Sequence, residues 1–135
     1  MSRYAQDFIT GLSPQVGDAT VVALSGDLGA GKTTFAQAVA RALGVEETVS
    51  SPTFVIEKVY QLSGQSFEKL IHIDAYRLES AHELEVLGWR ETVADPNNLI
   101  LIEWPERLAA LVPEGAIHIR FEIQGDGRII TIDGA

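Results

Sequence analysis

Residues 20–44 read TVVALSGDLGAGKTTFAQAVARALG, and this stretch decides the fold of the chain. It begins with a short apolar run, residues 21–24, which predicts a buried strand. A glycine-rich loop follows, and beyond it apolar residues recur with the spacing of one helix face. Gly44 stands where a helix C-terminal cap is expected. The order strand, loop, helix is the context that a phosphate-binding P-loop requires.

The loop at residues 26–33, GDLGAGKT, fits the Walker A pattern G-x-x-x-x-G-K-[ST] with one additional glycine. Its glycines allow a sharp backbone bend, and its amides form an anion site at a helix N-terminus. We expect Lys32 to reach the β- and γ-phosphates, Thr33 to offer a hydroxyl to Mg²⁺, and Thr34 to donate to a phosphate oxygen. The nucleotide-binding residues predicted here are Gly26, Asp27, Leu28, Gly29, Ala30, Gly31, Lys32, Thr33 and Thr34. A turn that merely connects strand and helix is the alternative.

The composition is that of an ordinary globular protein. The chain has 135 residues, of which 46% are hydrophobic and 21% are charged, so we expect one compact domain over residues 1–135. No apolar run approaches membrane-spanning length, and the first residues do not resemble a secretory signal. The chain has no cysteine, which excludes disulfides and thiolate metal sites. We therefore expect a cytoplasmic protein.

The net charge is −9, and only three residues are lysines. A protein that holds a polyanion by itself usually presents a basic face. Here the arginines are scattered through the chain, and Lys32 is assigned to phosphate. Tight direct binding of RNA is therefore disfavoured, and any nucleic acid in the pathway is expected to be held by a protein partner.

The rest of the chain predicts short helices and strands around the P-loop unit. Helices are expected at residues 2–12, 80–88 and 104–111. Strands are expected at residues 54–62, 69–74, 99–102, 117–123 and 128–132, with hairpins joining the first two and the last two. The predicted fold is therefore α/β, a single P-loop NTPase-like domain with a central mixed sheet flanked by helices and with β-hairpins.

Asp74 and Glu103 each end an apolar run, and a P-loop site needs such an acidic residue for Mg²⁺. The run before Glu103 is LILI, which is typical of a strand buried on both faces and predicts a place beside the P-loop. The run before Asp74 is LIHI, whose polar His72 assigns it to an outer hairpin strand. We assign Glu103 to the metal, and Asp74 to a position near the γ-phosphate where it orients or deprotonates water. A helix cap for Glu103 and a turn or cap role for Asp74 remain open.

For the other candidate site residues, the sequence leaves two roles open. Thr53 lies where P-loop proteins keep a switch, but an ordinary Ser/Thr loop is the alternative. Arg77 could stabilise transition-state charge, although a surface ion pair is favoured. Trp104 is either a core aromatic or an exposed platform beside the nucleotide. No metal-ligand spacing relates the three histidines, and a structural or solvated role is expected for His72, His82 and His118.

Five segments, GDLGAGKTTF, SPTF, HIDAYRL, ELEVLGW and LIEWPER, occur in this order at short separations. Together they closely resemble the TsaE family (formerly YjeE), the small ATPases of bacterial tRNA threonylcarbamoyladenosine biosynthesis. The resemblance covers nearly the whole chain and is more specific than the Walker A loop alone. It implies ATP rather than GTP, in agreement with the lack of a guanine-reading N-K-x-D motif.

The resemblance also implies roles for individual residues. Thr33 and Glu103 would bind Mg²⁺, and Asp74 would serve hydrolysis. Lys32 would bind phosphate, and Trp104 would lie near the nucleotide. The first switch would consist of Ser51, Pro52 and Thr53.

The family acts with two protein partners, TsaB and TsaD, so the resemblance implies an indirect link to tRNA. TsaD transfers the threonylcarbamoyl group to adenosine 37 of tRNAs that read codons beginning with A. The TsaE-like subunit is not the transferase, and its ATP cycle would support turnover of that complex.

Two other functions remain in competition. A P-loop small-molecule kinase would need a second pocket for the acceptor and usually an arginine-rich lid, and no arginine cluster of that kind is visible. A nucleotide-gated binding module without hydrolysis is the second alternative.

Overall fold

Six strands and five helical segments make up the described part of the chain. The computed structural model describes residues 2–26, 31–46, 57–75, 81–108, 111–125 and 127–133. The helices are α1 (Ser2–Thr10), α2 (Lys32–Ala42), α3 (Ala81–Val86), α4 (Trp89–Val93) and a 3₁₀ helix (Pro105–Leu108). The strands are β1 (Thr20–Gly26), β2 (Glu57–Gln61), β3 (Lys69–Asp74), β4 (Asn98–Glu103), β5 (Ile117–Gln124) and β6 (Gly127–Asp133).

All six strands join one mixed sheet in the order β2-β3-β4-β1-β5-β6. β3, β4, β1 and β5 are parallel, and β2 and β6 pair antiparallel on the two sides. The two antiparallel pairs are the predicted hairpins, which are thereby confirmed. The LILI run was predicted to end beside the P-loop; its strand β4 pairs with β1, the strand that leads into that loop, along residues 99–103.

One core layer lies between the sheet and helices α1 and α2. Phe35 of α2 is fully buried there. Its ring centroid lies 5.9, 5.7 and 5.6 Å from those of Tyr4, Phe8 and Phe121. Aromatic pairs at such distances add to the stabilisation that burial alone provides. This cluster fixes α2 against the sheet.

The second core layer covers the opposite face of the sheet, under α3 and α4. Leu84 of α3 and Trp89 of α4 are buried there. The Trp89 Nε1–H donates to the Leu111 carbonyl oxygen at 3.3 Å. The strand side chains of this layer include Val21, Ile71, Ile73, Ile100 and Ile102. Because both faces are covered, β1, β3 and β4 are apolar along most of their length.

Two features differ from the sequence-based expectations. The prediction that LIHI is an outer strand is wrong, because β3 pairs with β2 on one side and with β4 on the other. The polar residue of this run, His72, can be buried because its side chain is hydrogen-bonded to Glu103 of β4. Helix α4 was not predicted. It begins directly after Gly88, which has a φ of 90°. The capping box at Ser80 and residues 54–56 of the predicted strand lie outside the described residues.

Candidate nucleotide-binding site

The two ends of the glycine-rich loop have backbone conformations that favour glycine. Gly26 ends β1 with a φ of 133°, and a Cβ there would lie 2.1 Å from the Phe121 carbonyl oxygen. Gly31 precedes α2 with a φ of 106°, and its carbonyl accepts the Phe35 N–H at 2.8 Å. Glycine is therefore required at Gly26 by close backbone approach as well as by φ. The residues between them, Asp27 to Ala30, lie outside the described part.

Lys32 lies folded back over the start of the loop. Its ammonium donates a hydrogen bond to the Gly26 carbonyl oxygen and lies 3.6 Å from the centroid of the Trp104 ring. Only 5% of the residue is exposed. A buried ammonium needs such partners because desolvation disfavours its charge. The Lys32 ammonium therefore places a positive charge at the N-terminus of α2. Both this charge and the helix N-terminus favour an anion there.

Glu103 ends β4, and both oxygens of its carboxylate have partners. The Thr33 hydroxyl donates to Oε1 at 3.0 Å, and His72 Nε2 lies 2.5 Å from Oε2. Only 2% of Glu103 is exposed. The sheet register puts Glu103 level with Leu24 of β1 and with Asp74 of β3. The structure therefore brings together the first turn of α2 and the ends of three strands.

His72 is a site residue that the sequence reasoning missed. It was expected to be structural or solvated; it is 1% exposed, so it is not solvated, and it contacts the carboxylate of Glu103. The signal available in the sequence was its place two residues before Asp74, which gives both side chains the same face of β3. His82 and His118 are exposed, in agreement with the expectation for them.

Asp74 lies at the carboxyl end of β3 and is half-buried. The backbone after it is fixed by the Ala75 N–H, which donates to the Glu103 carbonyl oxygen at 3.0 Å. Thr34, on the first turn of α2, is exposed. Asp74 thus lies at the carboxyl end of its strand, in register with the buried Glu103.

Trp104 has the one positive φ, 61°, among the described non-glycine residues. Its N–H donates to the Leu24 carbonyl oxygen at 3.3 Å, so the chain turns directly across the end of β1. The side chain is partly buried and packs on the core layer under α3 and α4. The sequence left a choice between a core aromatic and an exposed platform. The packing of the partly buried ring on this layer agrees with the core aromatic, and the ring also contacts the Lys32 ammonium.

The donor set around Glu103 fits a hard divalent cation. Mg²⁺ prefers oxygen ligands and is usually bound by one or two side chains, with phosphates and water completing its shell. Thr33 Oγ1 and Glu103 Oε1, 3.0 Å apart, are such a pair. Among the described residues no group of three or more His, Cys, Asp or Glu could hold a metal alone.

A cavity of about 620 Å³ opens next to Gly26, at the carboxyl end of β1. Apolar and charged side chains both line it, among them Pro105, Val112, His118 and Arg120. Arg120 lies 3.8 Å from a carboxylate oxygen of Glu122, and both side chains are largely exposed. The cavity can therefore admit a small polar molecule beside the loop.

Several predicted residues cannot be placed. The predicted switch, Ser51, Pro52 and Thr53, lies outside the described residues, and so does Arg77. None of the helices in the described part of the chain has the length and apolar character of a membrane span.

A parallel β1–β4 pair, a glycine-rich loop between β1 and α2, and an acidic residue ending β4 define a P-loop NTPase-like α/β protein. The crystal structure of YdiB from Bacillus subtilis superposes with a TM-score of 0.70 and 28% identity, over 98% of this chain and 79% of that one. The family model of threonylcarbamoyl adenosine biosynthesis protein TsaE matches residues 2–130. The chain belongs to the TsaE family.

Individual relatives agree with this assignment. The tRNA threonylcarbamoyladenosine biosynthesis protein TsaE of Treponema pallidum is 38% identical over 136 residues, covering 98% of this chain and 97% of that protein. The protein of the same name from Borreliella burgdorferi is 37% identical over 115 residues, covering 84% and 81%. Family and fold together indicate a nucleotide-binding protein of the tRNA threonylcarbamoyladenosine pathway.

Proposed function

We propose that the protein binds and hydrolyses ATP with Mg²⁺, and that this cycle supports a TsaB–TsaD complex. That complex would form N6-threonylcarbamoyladenosine at position 37 of tRNAs reading codons that begin with A. The observation that carries the proposal is the convergence of Lys32, Thr33 and Glu103 at the N-terminus of α2. A cation, a hydroxyl and a carboxylate in this order are what a nucleoside triphosphate with its metal requires.

The phosphates would be bound by the loop amides, by Lys32 and by Thr34. Lys32 Nζ is held by the Gly26 carbonyl oxygen and the Trp104 ring. A phosphate oxygen at the loop is a stronger partner than a carbonyl, because both members of the new hydrogen bond are charged. Lys32 would therefore exchange the carbonyl for a phosphate oxygen and remain paired.

Thr33 and Glu103 would hold the metal, with Glu103 acting in part through water. Bound Mg²⁺ would neutralise charge on the β- and γ-phosphate oxygens. Thr33 can keep its hydroxyl hydrogen on Glu103 while its oxygen lone pairs face the cation. The 3.0 Å separation of Thr33 Oγ1 and Glu103 Oε1 supports this assignment.

Asp74 would position or deprotonate the attacking water. Its position at the end of the strand next to Glu103 and its half-buried side chain support this role. A carboxylate in this role contributes roughly 10²–10⁴-fold to the rate.

The test combines calorimetric titration of ATP with and without Mg²⁺ and measurement of released phosphate. Lys32→Ala is expected to weaken ATP binding roughly 10–100-fold, the cost of losing a charged hydrogen bond. Glu103→Gln should remove the Mg²⁺-dependent part of binding. Asp74→Asn should leave binding unchanged and reduce hydrolysis at least about 100-fold. Glu85→Gln, on the exposed face of α3, is the control for removal of a carboxylate.

The proposal is wrong if Lys32→Ala binds ATP as tightly as the parent. Equal hydrolysis by the parent and Asp74→Asn would reject the assignment of Asp74 alone. Because partner contacts can complete the site, hydrolysis is measured both alone and with the TsaB–TsaD pair. ATP bound without turnover in either case would favour the nucleotide-gated binding module.

The cavity beside Gly26 favours a second candidate, a small-molecule kinase. It is large enough for a metabolite-sized acceptor, and it borders the start of the phosphate loop. Product analysis separates the two: free phosphate indicates an ATPase, whereas a phosphorylated metabolite indicates a kinase.

The working unit would be a single domain of residues 1–135 in the cytoplasm, linked to tRNA only through its partners. The joining of all six strands in one sheet supports the single domain. Sedimentation of the partner complex in the presence of tRNA tests the indirect link.

A further inference from the structure

We propose that His72 is a positioning residue for the metal carboxylate, fixing Glu103 so that its other oxygen faces the cation. The inference rests on the proposed function, because it concerns the Mg²⁺ assigned to Thr33 and Glu103. It adds a residue of β3 to a site that the loop, α2 and β4 otherwise form.

The contact is direct and lies inside the protein. His72 Nε2 lies 2.5 Å from Glu103 Oε2, and the two residues are 1% and 2% exposed. An ionised carboxylate has no hydrogen to give, so Nε2 is the donor. Oε1 of the same carboxylate accepts from Thr33 Oγ1 at 3.0 Å. Glu103 is therefore held between β3 on one oxygen and α2 on the other.

The hydrogen bond from His72 restricts the terminal torsion of the Glu103 side chain. The terminal torsion of a glutamate is broad and roughly two-fold, so a carboxylate with one partner can rotate. With His72 on Oε2 and Thr33 on Oε1, rotation would break two hydrogen bonds at once. The free lone pairs of Oε1 therefore keep one direction, beside the Thr33 hydroxyl.

Packing alone does not explain a histidine at this position. Two of its neighbours on the same face of the sheet, Leu70 and Leu101, are apolar and fully or almost fully buried. The other two, Lys58 of β2 and Asp74 of β3, are polar. Among the described residues, His72 Nδ1 has no hydrogen-bond partner, and an unpaired buried polar atom opposes folding. Among the described residues the imidazole thus leaves one buried nitrogen unpaired, and its other nitrogen contacts Glu103.

Three substitutions separate positioning from packing. His72→Gln keeps an N–H near the position of Nε2. The shorter side chain of His72→Asn cannot bring its N–H to Glu103. His72→Leu removes the donor and fills the space. Leu101→Val is the matched control, since Leu101 lies in register with His72 and is fully buried. It disturbs the same layer and removes no hydrogen bond to the carboxylate.

The measurement is the Mg²⁺ concentration that half-maximally strengthens ATP binding, titrated by calorimetry, together with ATP binding in excess EDTA. Loss of a residue that orients a metal ligand typically weakens metal affinity 10–100-fold. We expect that loss for His72→Leu and His72→Asn, partial or full recovery for His72→Gln, and parent behaviour for Leu101→Val. ATP binding in EDTA should be the same for all four variants and the parent.

The outcomes are distinct. If the parent shows no Mg²⁺-dependent ATP binding, the proposed function fails. If the parent shows it and His72→Asn matches His72→Gln and the parent, the positioning role is overturned. Should His72→Leu fail to fold, the Gln–Asn pair decides, because both are amides and differ in reach. A Mg²⁺ requirement that rises in Leu101→Val as much as in His72→Asn would also overturn it, because packing would then suffice.

Discussion

Gly26 stands where β1 ends against the backbone of β5. Replacement by alanine would put a Cβ 2.1 Å from the Phe121 carbonyl oxygen, at a φ of 133° that side chains rarely adopt. The strained conformation and the overlap together should lower the free energy of unfolding by roughly 2–5 kcal/mol. Urea denaturation of Gly26→Ala measures this loss.

Gly64→Ala is the matched control for that variant. Gly64 also has a positive φ, 69°, but no atom lies within 4 Å of a Cβ added there. Its cost should be only about 1–2 kcal/mol, that of a left-handed residue with a side chain. Equal losses in the two variants would show that the approach to Phe121 contributes nothing.

At the residue scale, the sequence predicted what lies within one motif and missed what depends on contacts between strands. The spacing within the loop was enough to nominate Lys32 and Thr33. The apolar run before Glu103 was enough to place this residue next to β1, and the structure pairs them. His72 was not predicted to contact Glu103, because that contact joins residues 31 apart on two strands. Only the register of β3 and β4 brings the two together.

At the scale of elements, β2 is an edge strand. Its Glu57 carboxyl group is partly buried, which disfavours the charged form. Burial raises the pKa of Glu57 above its ordinary value of 4.5. The protein is therefore more stable below pH 4.5, where Glu57 is protonated. This stability is lost as the pH rises through the folded-state pKa of Glu57. Glu57→Gln should gain stability over the parent at pH 7 and not at pH 4. Because the side chain is half-exposed, the gain should be only about 0.5 kcal/mol.

The measurement is urea denaturation at both pH values. Glu68→Gln, on an exposed residue just before β3, controls for the loss of one negative charge from an acidic protein. If Glu57→Gln and Glu68→Gln gain equally at pH 7, net charge explains the gain and burial of Glu57 does not.

The elements themselves were predictable where a pattern was long. The alternating run of β5 and the unbroken run of β4 were both recognised, and the structure contains both strands. α4 escaped because its five residues are too few for a periodic pattern. β3 was placed at the outside because one polar residue interrupted its apolar run. That inference fails whenever the polar residue is satisfied inside the fold.

At the scale of the whole molecule, the negative charge makes a prediction about partners. With a net charge of −9, the protein alone should bind tRNA no more tightly than about 10⁻⁴ M at physiological salt. Under the proposed function, it should instead be retained on immobilised TsaB–TsaD, most strongly with ATP and less with ADP or no nucleotide. A pull-down under these three conditions, with a tRNA gel shift alongside, measures both.

Lys32→Ala supplies the control for nucleotide dependence. At nucleotide concentrations too low to fill its weakened site, it should show the same weak retention in all three conditions. Tight tRNA binding by the isolated protein would contradict the charge argument, and retention independent of nucleotide in the parent would contradict coupling to ATP.

The contact between Lys32 and the ring of Trp104 has a practical consequence for spectroscopy. The chain contains two indoles, and the other, Trp89, is buried under α4 with its N–H bonded to Leu111. A ligand that draws the Lys32 ammonium away from the ring should change the emission of Trp104. The emission of Trp89 should stay unchanged until the chain unfolds. Intrinsic fluorescence thus separates occupancy of the loop from integrity of the fold without any added dye.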